Sequence, residues 1–158
     1  MFAALAVTPI GIVHSPIREP VDDVWGGVNS RIELDASRFS PESLAGLDEF
    51  SHVEVVFVFD RVEESEIHFG ARHPRGRTDW PKAGIFAQRG KNRPNRIGVT
   101  VCRLVSVEGL AITVEGLDAI DGTPVLDIKP YLREFAPRGM VRQPEWATEL
   151  MSDYWKSA

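Results

Sequence analysis

Short apolar runs recur along most of this 158-residue chain, and turn-forming residues separate them. Their lengths and their Gly, Pro, Asn and Asp boundaries predict strands, with tight turns at Glu108-Gly109 and Asp121-Gly122. The runs that predict strands are Val7–Ser15, Arg31–Leu34, His52–Val62, Val99–Val107, Leu110–Leu117 and Pro124–Ile128. The third is the most apolar and is predicted to be central. Many short strands with little helix favour a mainly β fold, an antiparallel sheet closed into a single-sheeted β-barrel.

Two stretches are predicted to be helical. Residues 40–43 carry Pro at the first helical position and predict a short helix. The tail at residues 144–155 predicts a longer helix, because Trp146, Leu150 and Tyr154 repeat at i, i+4 and i+8. The apolar face that results is expected to dock on the barrel or on another subunit.

The most informative stretch is Gly84–Thr100. It opens with the apolar run Ile85–Ala87, which predicts a buried strand, and returns to an apolar run at Ile97–Leu104. The turn between the two runs is stiff, because Pro94 fixes its own φ and pushes Arg93 towards an extended conformation. That turn carries four cations, namely Arg89, Lys91, Arg93 and Arg96. The pattern indicates either a site for an anion or a nucleic-acid backbone, or a solvated hairpin tip.

Composition places the chain among ordinary globular proteins, with 43% apolar and 26% charged residues. The length predicts one domain over residues 1–158, with a barrel core at 7–131. The single Cys102 lies in an apolar run, which predicts a buried structural thiol. The four histidines lack metal-ligand spacing. No apolar run approaches the ~18 residues of a membrane span and no signal peptide is evident, so we expect a cytoplasmic protein.

Charge is unevenly distributed along the chain, whose net charge is −5. Residues 72–96 contain eight basic residues and one acid, which gives +7. The remainder contains ten basic and twenty-two acidic residues, which gives −12. A basic middle inside an acidic protein indicates a localised anion-binding face, although a self-repelling solvated loop has the same composition. Residues 71–81 in particular predict a long, mobile loop.

Common catalytic signatures are absent: there is no Walker-type loop, no G-x-G-x-x-G motif and no nucleophile elbow. Four segments nevertheless resemble the TsaA-like family, S-adenosylmethionine-dependent methyltransferases that modify N6 of threonylcarbamoyladenosine 37 in tRNA. The RPN motif alone is weak, and DGTPVLDIKPY after it makes the resemblance specific. The matching segments, in family order, are Ile10–Pro16, Gly46–His52, Gly84–Gly98 and Leu117–Tyr131. One departure is Arg96, which stands where an RPNP-type motif has its second proline.

The resemblance implies a single-sheeted barrel, a homodimer and S-adenosylmethionine bound without a Rossmann fold. Backbone groups before the Asp-Gly turn are implied to pair with adenine, and carbonyls or carboxylates to face the sulfonium. The positions that match the family's cofactor contacts are Asp60, Arg61, Arg89, Leu117, Asp118, Ala119 and Ile120. For Asp60 and Arg61, simple packing at a strand end is an equal alternative.

Methyl transfer to a carbamoylated N6 requires assistance with loss of its proton, because this nitrogen is a poor nucleophile. The residues expected near that chemistry are Asn95, Asp121 and Tyr131. Phosphates of the tRNA anticodon loop are expected to meet arginines of the basic segment, which adds salt dependence but no sequence reading. These arginines are Arg72, Arg75, Arg77, Arg93 and Arg96. Asp127 and Lys129 are interpreted as a structural pair.

Three functions remain open on the sequence. The first is a tRNA-modifying methyltransferase. The second is a small-molecule methyltransferase on the same barrel, favoured by the acidic balance of the chain. The third is a non-catalytic barrel that binds RNA or a protein partner, and binding of S-adenosylmethionine separates it from the other two.

Overall fold

A computed structural model describes residues 1–157 of the chain. The eight strands are β1 (Gly11–His14), β2 (Asn29–Leu34), β3 (His52–Val58), β4 (Ala71–Arg72), β5 (Ala83–Gly84), β6 (Ile97–Glu108), β7 (Ala111–Glu115) and β8 (Pro124–Pro130). The single α-helix, α1, is Glu145–Leu150. Short 3₁₀ helices lie at Pro41–Leu44, Leu47–Glu49, Glu64–Glu66, Pro74–Gly76, Ile85–Ala87, Pro94–Arg96 and Arg133–Phe135.

Six of the strands form a closed barrel in the order β1-β2-β7-β6-β3-β8, and every neighbouring pair is antiparallel. The predicted antiparallel barrel is therefore confirmed. The remaining two strands, β4 and β5, form a separate two-stranded ribbon. We call residues 71–84 the basic ribbon, and residues 71–81 of it were predicted to be a long, mobile loop. Instead the Ala71–Gly84 and Arg72–Ala83 pairs and the burial of Trp80 give it structure.

Alternate side chains of the strands point into the barrel, as the pleat of a strand requires. On β3, Val53, Val55 and Phe57 are buried, while the residues between them are partly exposed. The Phe57 ring fills the space beside Gly98 on β6, where a Cβ atom would lie 2.5 Å from the ring. The central position predicted for this strand is confirmed, because β3 has neighbours on both sides.

The longest strand, β6, uses its two halves differently. Ile97–Arg103 pairs with β3, whereas Arg103–Glu108 pairs with β7. Beyond the Arg103–Glu115 pair, the first half of β6 has no strand on its second edge. The barrel wall therefore contains a gap beside this half-strand, and the chain that follows β7 runs along it.

Three local predictions were wrong in extent or type. Ile85–Ala87 forms a 3₁₀ turn rather than a strand, since Gln88 N–H bonds the Ile85 carbonyl; Ile85 is 2% exposed and Phe86 78%. The strand predicted to reach Val62 ends at Val58, where the chain turns. The predicted helix at 144–155 stops at Leu150, and residues 151–155 form turns.

Two side-chain predictions are confirmed, a buried Cys102 and a structural pair of Asp127 with Lys129. Cys102 is buried, and burial raises the pKa of its thiol to about 12, which is the behaviour of a structural cysteine. Lys129 Nζ and Asp127 Oδ2 form a 2.5 Å ion pair. Within residues 1–157, no helix has the length and apolar character needed to cross a membrane. The same residues bring no three His, Cys, Asp or Glu side chains together as a metal site.

Candidate functional site

The gap in the barrel wall is bordered by main-chain groups that lack partners. Residues 117–120 run beside the first half of β6, and we call these residues together with Ile97–Cys102 the open edge. Within the described chain, the N–H groups of Leu117–Ile120 donate no hydrogen bond. Leu117 and Ala119 are nevertheless buried. Buried main-chain donors without partners are rare, so this edge is suited to pair with a bound ligand.

A fixed carboxylate lies on the open edge. The Thr100 hydroxyl donates to Asp118 Oδ1, and the Tyr154 hydroxyl donates to Asp118 Oδ2. Burial raises the pKa of Tyr154 well above its usual value, and the Asp118 charge raises this pKa further. The Tyr154 hydroxyl therefore keeps its proton and acts as a donor. Both oxygens of Asp118 are oriented by neutral groups.

Two arginines lie near the Tyr154 hydroxyl, and each is hydrogen-bonded to another group. Arg89 donates from Nη2 to the Val99 carbonyl on the open edge, over 2.6 Å. Arg75 donates to both oxygens of Asp23, over 2.8 and 2.9 Å, and these bonds raise its pKa. The positive charges of both arginines oppose the rise in the pKa of Tyr154, which shows that they lie nearby.

The C-terminal segment joins these parts, and we call residues 145–156 the C-terminal strap. Val24 N–H bonds the Asp153 carbonyl over 3.2 Å, and Trp25 N–H bonds the Tyr154 carbonyl over 2.8 Å. At its other end, Glu149 accepts a 2.8 Å bond from the Trp80 indole of the basic ribbon. The strap therefore holds the loop before β2, the basic ribbon and the open edge in one arrangement.

A second group of predicted residues meets where β3 ends. Arg61 donates to the Arg18 carbonyl over 2.8 Å and to the Asp121 carbonyl over 3.3 Å. Asp121 Oδ1 accepts a 3.0 Å bond from Ser15 N–H. Asp60 is exposed and forms no ion pair among the described residues. The strand-end interpretation of Arg61 thus has direct support, and Asp121 has a structural role in addition to any chemical one.

Two arginines of the Pro94 turn donate hydrogen bonds to main-chain carbonyls. Arg93 Nη1 donates to the Gln88 carbonyl, and Arg96 Nη1 donates to the Val62 carbonyl, each over 2.7 Å. Asn95 lies between them with φ of 63° and is exposed. Each guanidinium therefore keeps a turn in place beside a predicted cofactor contact, Arg89 in one case and Arg61 in the other.

Much of the basic charge of residues 72–96, which we call the basic face, is not neutralised. Arg75 pairs with Asp23, and Arg77 pairs with Asp79 and Glu149. Arg72 is half-buried, and its Nε atom has no hydrogen-bond partner. Within residues 1–157, six of the eight cations of the basic segment form no ion pair: Arg72, Lys82, Arg89, Lys91, Arg93 and Arg96.

Tyr131 lies apart from the other predicted catalytic residues. Its N–H bonds the His52 carbonyl, at the first residue of β3. Asp121 and Asn95 lie near the last residues of the same strand, whose seven residues span about 20 Å. The structure therefore does not bring Tyr131 together with Asn95 and Asp121 within one chain, and its catalytic role stays a prediction.

A family model supplies the decisive comparison. The model for the tRNA-methyltransferase O N-terminal domain matches residues 17–136, which is most of the chain. The chain belongs to this family. The match covers the loop before β2, the barrel strands from β2 onward, the basic ribbon and the open edge.

Known relatives of this N-terminal domain share its sequence and its fold. A Mus musculus protein named tRNA (adenine(37)-N6)-methyltransferase is 46% identical over 97 residues, which are 61% of this chain and 22% of that protein. A probable S-adenosyl-L-methionine-binding protein of Pyrococcus abyssi is 39% identical over 137 residues, 85% of this chain and 72% of that one. The crystal structure of TrmO from P. aeruginosa superposes with a TM-score of 0.74 at 30% identity, over 92% of this chain and 63% of that chain. This chain thus spans only part of the mouse protein and of the crystallised one.

Several side chains that hold the candidate site together were not predicted from the sequence. Tyr154 was assigned only to an apolar helix face, and Thr100 only to a strand. Asp118 is 36 residues away from Tyr154 in sequence, so no local spacing connects them. Gln88 was likewise missed, although its position beside Arg89 in a stiff turn was a usable signal.

Gln88 fastens the basic ribbon. Its side-chain Nε2 donates to the Ala83 carbonyl over 2.7 Å and to the Arg72 carbonyl over 3.2 Å. We expect Gln88→Met to lower the free energy of unfolding by about 2 kcal/mol, because two half-buried carbonyls lose their donor. The measurement is urea unfolding followed by tryptophan fluorescence. The matched control is Gln143→Met, which removes one exposed bond to Thr148 and should change stability by less than about 0.5 kcal/mol.

A cavity of about 320 Å³ lies near the end of β8 in the described chain. Its lining is mainly apolar and includes Leu44, Leu47 and Ile128 but none of the predicted site residues. The candidate site of this family member is therefore an exposed edge with fixed polar groups rather than a closed pocket.

Proposed function

We propose that this chain is an S-adenosylmethionine-dependent methyltransferase that modifies N6 of threonylcarbamoyladenosine 37 in tRNA. The observation that carries the proposal is its 46% identity, over 97 residues, to the mouse protein named tRNA (adenine(37)-N6)-methyltransferase. The relative from Pyrococcus abyssi, named for S-adenosyl-L-methionine binding, supports the choice of cofactor.

The open edge fits that cofactor chemically. Unpartnered N–H groups of Leu117–Ile120 match the acceptors of an adenine ring. The Asp118 carboxylate, which no cation neutralises directly, matches a positively charged sulfur. Arg89 is placed on the same edge by its bond to Val99. Asp60 and Arg61 complete the proposed set at the end of β3. The bound cofactor supplies a methyl group activated by the sulfonium charge.

The basic face is proposed to bind the anticodon loop. Its six cations without ion pairs are available to phosphates, and every phosphate contact releases counterions and makes binding salt-dependent. The exposed Lys82 and Lys91 are the most available donors, whereas Arg72 is half-buried and its Nε atom is enclosed. Arg75 and Arg77 contribute less in this proposal, since carboxylates already hold them.

Asn95 and Asp121 remain the proposed groups near the reacting nitrogen. Asp121 uses Oδ1 to hold Ser15, so its other oxygen is the one proposed to accept the proton that N6 loses. Asn95 is exposed on a stiff turn and is proposed to orient the modified base. Positioning of this kind contributes about 7 kcal/mol or more to lowering a barrier in favourable cases.

One observation favours a second candidate, a small-molecule methyltransferase. Arg75 and Arg77 are both held by carboxylates, which reduces the charge that an RNA backbone meets. Binding of tRNA that weakens steeply with salt favours the first candidate, because only that function needs several phosphate contacts. We also propose that the enzyme is a homodimer, as the family resemblance implies, and that it is cytoplasmic, as the sequence predicts.

Isothermal titration with S-adenosylmethionine is the first test. We expect micromolar affinity, followed by methyl transfer to tRNA that carries threonylcarbamoyladenosine. No binding in the presence or absence of tRNA would contradict the methyltransferase assignment. Binding without transfer to tRNA would contradict the proposed substrate and favour the second candidate.

A further inference from the structure

The carboxylate of Asp118 is fixed in direction by two hydrogen bonds. Two hydroxyls, those of Thr100 and Tyr154, each donate to one of its oxygens. The nearby guanidinium groups are engaged elsewhere, that of Arg89 with the Val99 carbonyl and that of Arg75 with Asp23. A carboxylate has lone pairs for further contacts, so both hydrogen bonds leave room for a ligand.

The position of Tyr154 is itself determined by the strap. Its carbonyl accepts a 2.8 Å bond from Trp25 N–H, and the carbonyls of Asp153 and Lys156 accept bonds from the same loop. Its ring packs edge to face on Trp155, with centroids 4.9 Å apart. The hydroxyl is half-buried and reaches the open edge from outside the barrel. A side chain held this firmly determines the direction of the group to which it donates.

We propose that Tyr154 is a positioning residue that turns the Asp118 carboxylate towards the positively charged sulfur of the cofactor. The inference rests on the proposed function, because it requires the cofactor to bind at the open edge. Its consequence is selectivity between the methyl donor and the demethylated product. The donor carries a positive charge on sulfur, whereas the product has a neutral thioether there.

Because of this charge difference, the Asp118 carboxylate favours the exchange of product for new donor after each methyl transfer. Attraction between Asp118 and the sulfonium exists only before the methyl group leaves, and it is strengthened by the half-buried surroundings. Once the methyl group has moved, the product loses that attraction and is exchanged more easily for new donor. Tyr154 acts only through Asp118 and touches neither the methyl group nor the accepting nitrogen.

The test compares the affinities of donor and product in Asp118 and Tyr154 variants. Isothermal titration of the full chain with S-adenosylmethionine and S-adenosylhomocysteine gives the ratio of their dissociation constants. We expect Tyr154→Phe to weaken donor binding about fivefold while changing product binding less than about twofold. Asp118→Asn, which removes the charge and keeps a similar shape, should shift the ratio in the same direction and further. Lys156→Met is the control, because Lys156 pairs only with Asp153 among the described residues.

Each outcome tests either the inference about Tyr154 and Asp118 or the proposed function on which it rests. Equal weakening of both ligands by Tyr154→Phe, at an unchanged melting temperature, would overturn the positioning role and assign Tyr154 to packing alone. An unchanged ratio in Asp118→Asn would overturn the role of the carboxylate. Failure of the unmodified chain to bind either ligand would instead overturn the proposed function. Selective loss of donor affinity in both variants, with the Lys156→Met control unaffected, supports the inference.

Discussion

Replacing Arg93 and Arg96 together with Ala is expected to abolish tRNA methylation and to weaken S-adenosylmethionine binding about 30-fold. Each guanidinium bonds a carbonyl, at Gln88 and at Val62, and each carbonyl adjoins a proposed cofactor contact. Loss of a donor to a carbonyl of a buried residue costs about 1–3 kcal/mol, and two such losses at the lower limit correspond to about that fold-change. Isothermal titration measures the affinity for S-adenosylmethionine, and transfer of a labelled methyl group to tRNA measures activity.

The control removes the same amount of charge without removing these bonds. Lys82 and Lys91 are exposed and form no ion pair in the described part of the chain. The double variant Lys82→Ala, Lys91→Ala should keep cofactor affinity within about twofold. It should also reduce the slope of log affinity for tRNA against log salt by about 1.4–1.8, the contribution of two phosphate contacts. Equal cofactor binding in the two double variants would show that Arg93 and Arg96 act only on RNA.

The barrel could be predicted from the sequence, because its wall consists of short strands that local patterns of apolar residues and turn residues identify. Alternation on β3 and the Glu108-Gly109 turn between β6 and β7 identify which residues face the core and which strands pair. The run Ile85–Ala87 was misassigned because three apolar residues fit a strand and a 3₁₀ turn equally well. Only the tertiary structure decides that Ile85 is buried and Phe86 is not.

The candidate site was predictable in part, through the resemblance rather than through spacing. Arg89 and residues 117–120 do lie on one edge, as the family positions imply. The contribution of Tyr154 was not predictable, because it depends on a strap that leaves its helix at Leu150. The separation of Tyr131 from Asp121 was not predictable, because its segment continues directly from the Asp-Gly turn in sequence. The intervening strand β8 carries it to the other end of the barrel.

The strap also explains why the loop before β2 contains Gly26. An added Cβ at this position would lie 1.9 Å from the Trp155 carbonyl oxygen, so a larger residue separates the loop from the strap. We expect Gly26→Ala to break the main-chain bonds of Val24 and Trp25 to the strap and to withdraw Tyr154 from Asp118. Amide hydrogen exchange at residues 24–26 should accelerate about 100-fold, because local opening replaces a packed contact.

The matched control is Gly84→Ala, at a glycine with an ordinary φ of −59° and no atom within 4 Å of the added Cβ. It should leave exchange in the loop before β2 unchanged. If the strap positions the open edge, Gly26→Ala should also reduce the preference for S-adenosylmethionine over its product, to the level expected for Tyr154→Phe. Faster exchange at residues 24–26 with an unchanged preference would show that the strap stabilises the loop but does not orient Asp118. Such a result would leave the barrel edge alone responsible for recognising the cofactor.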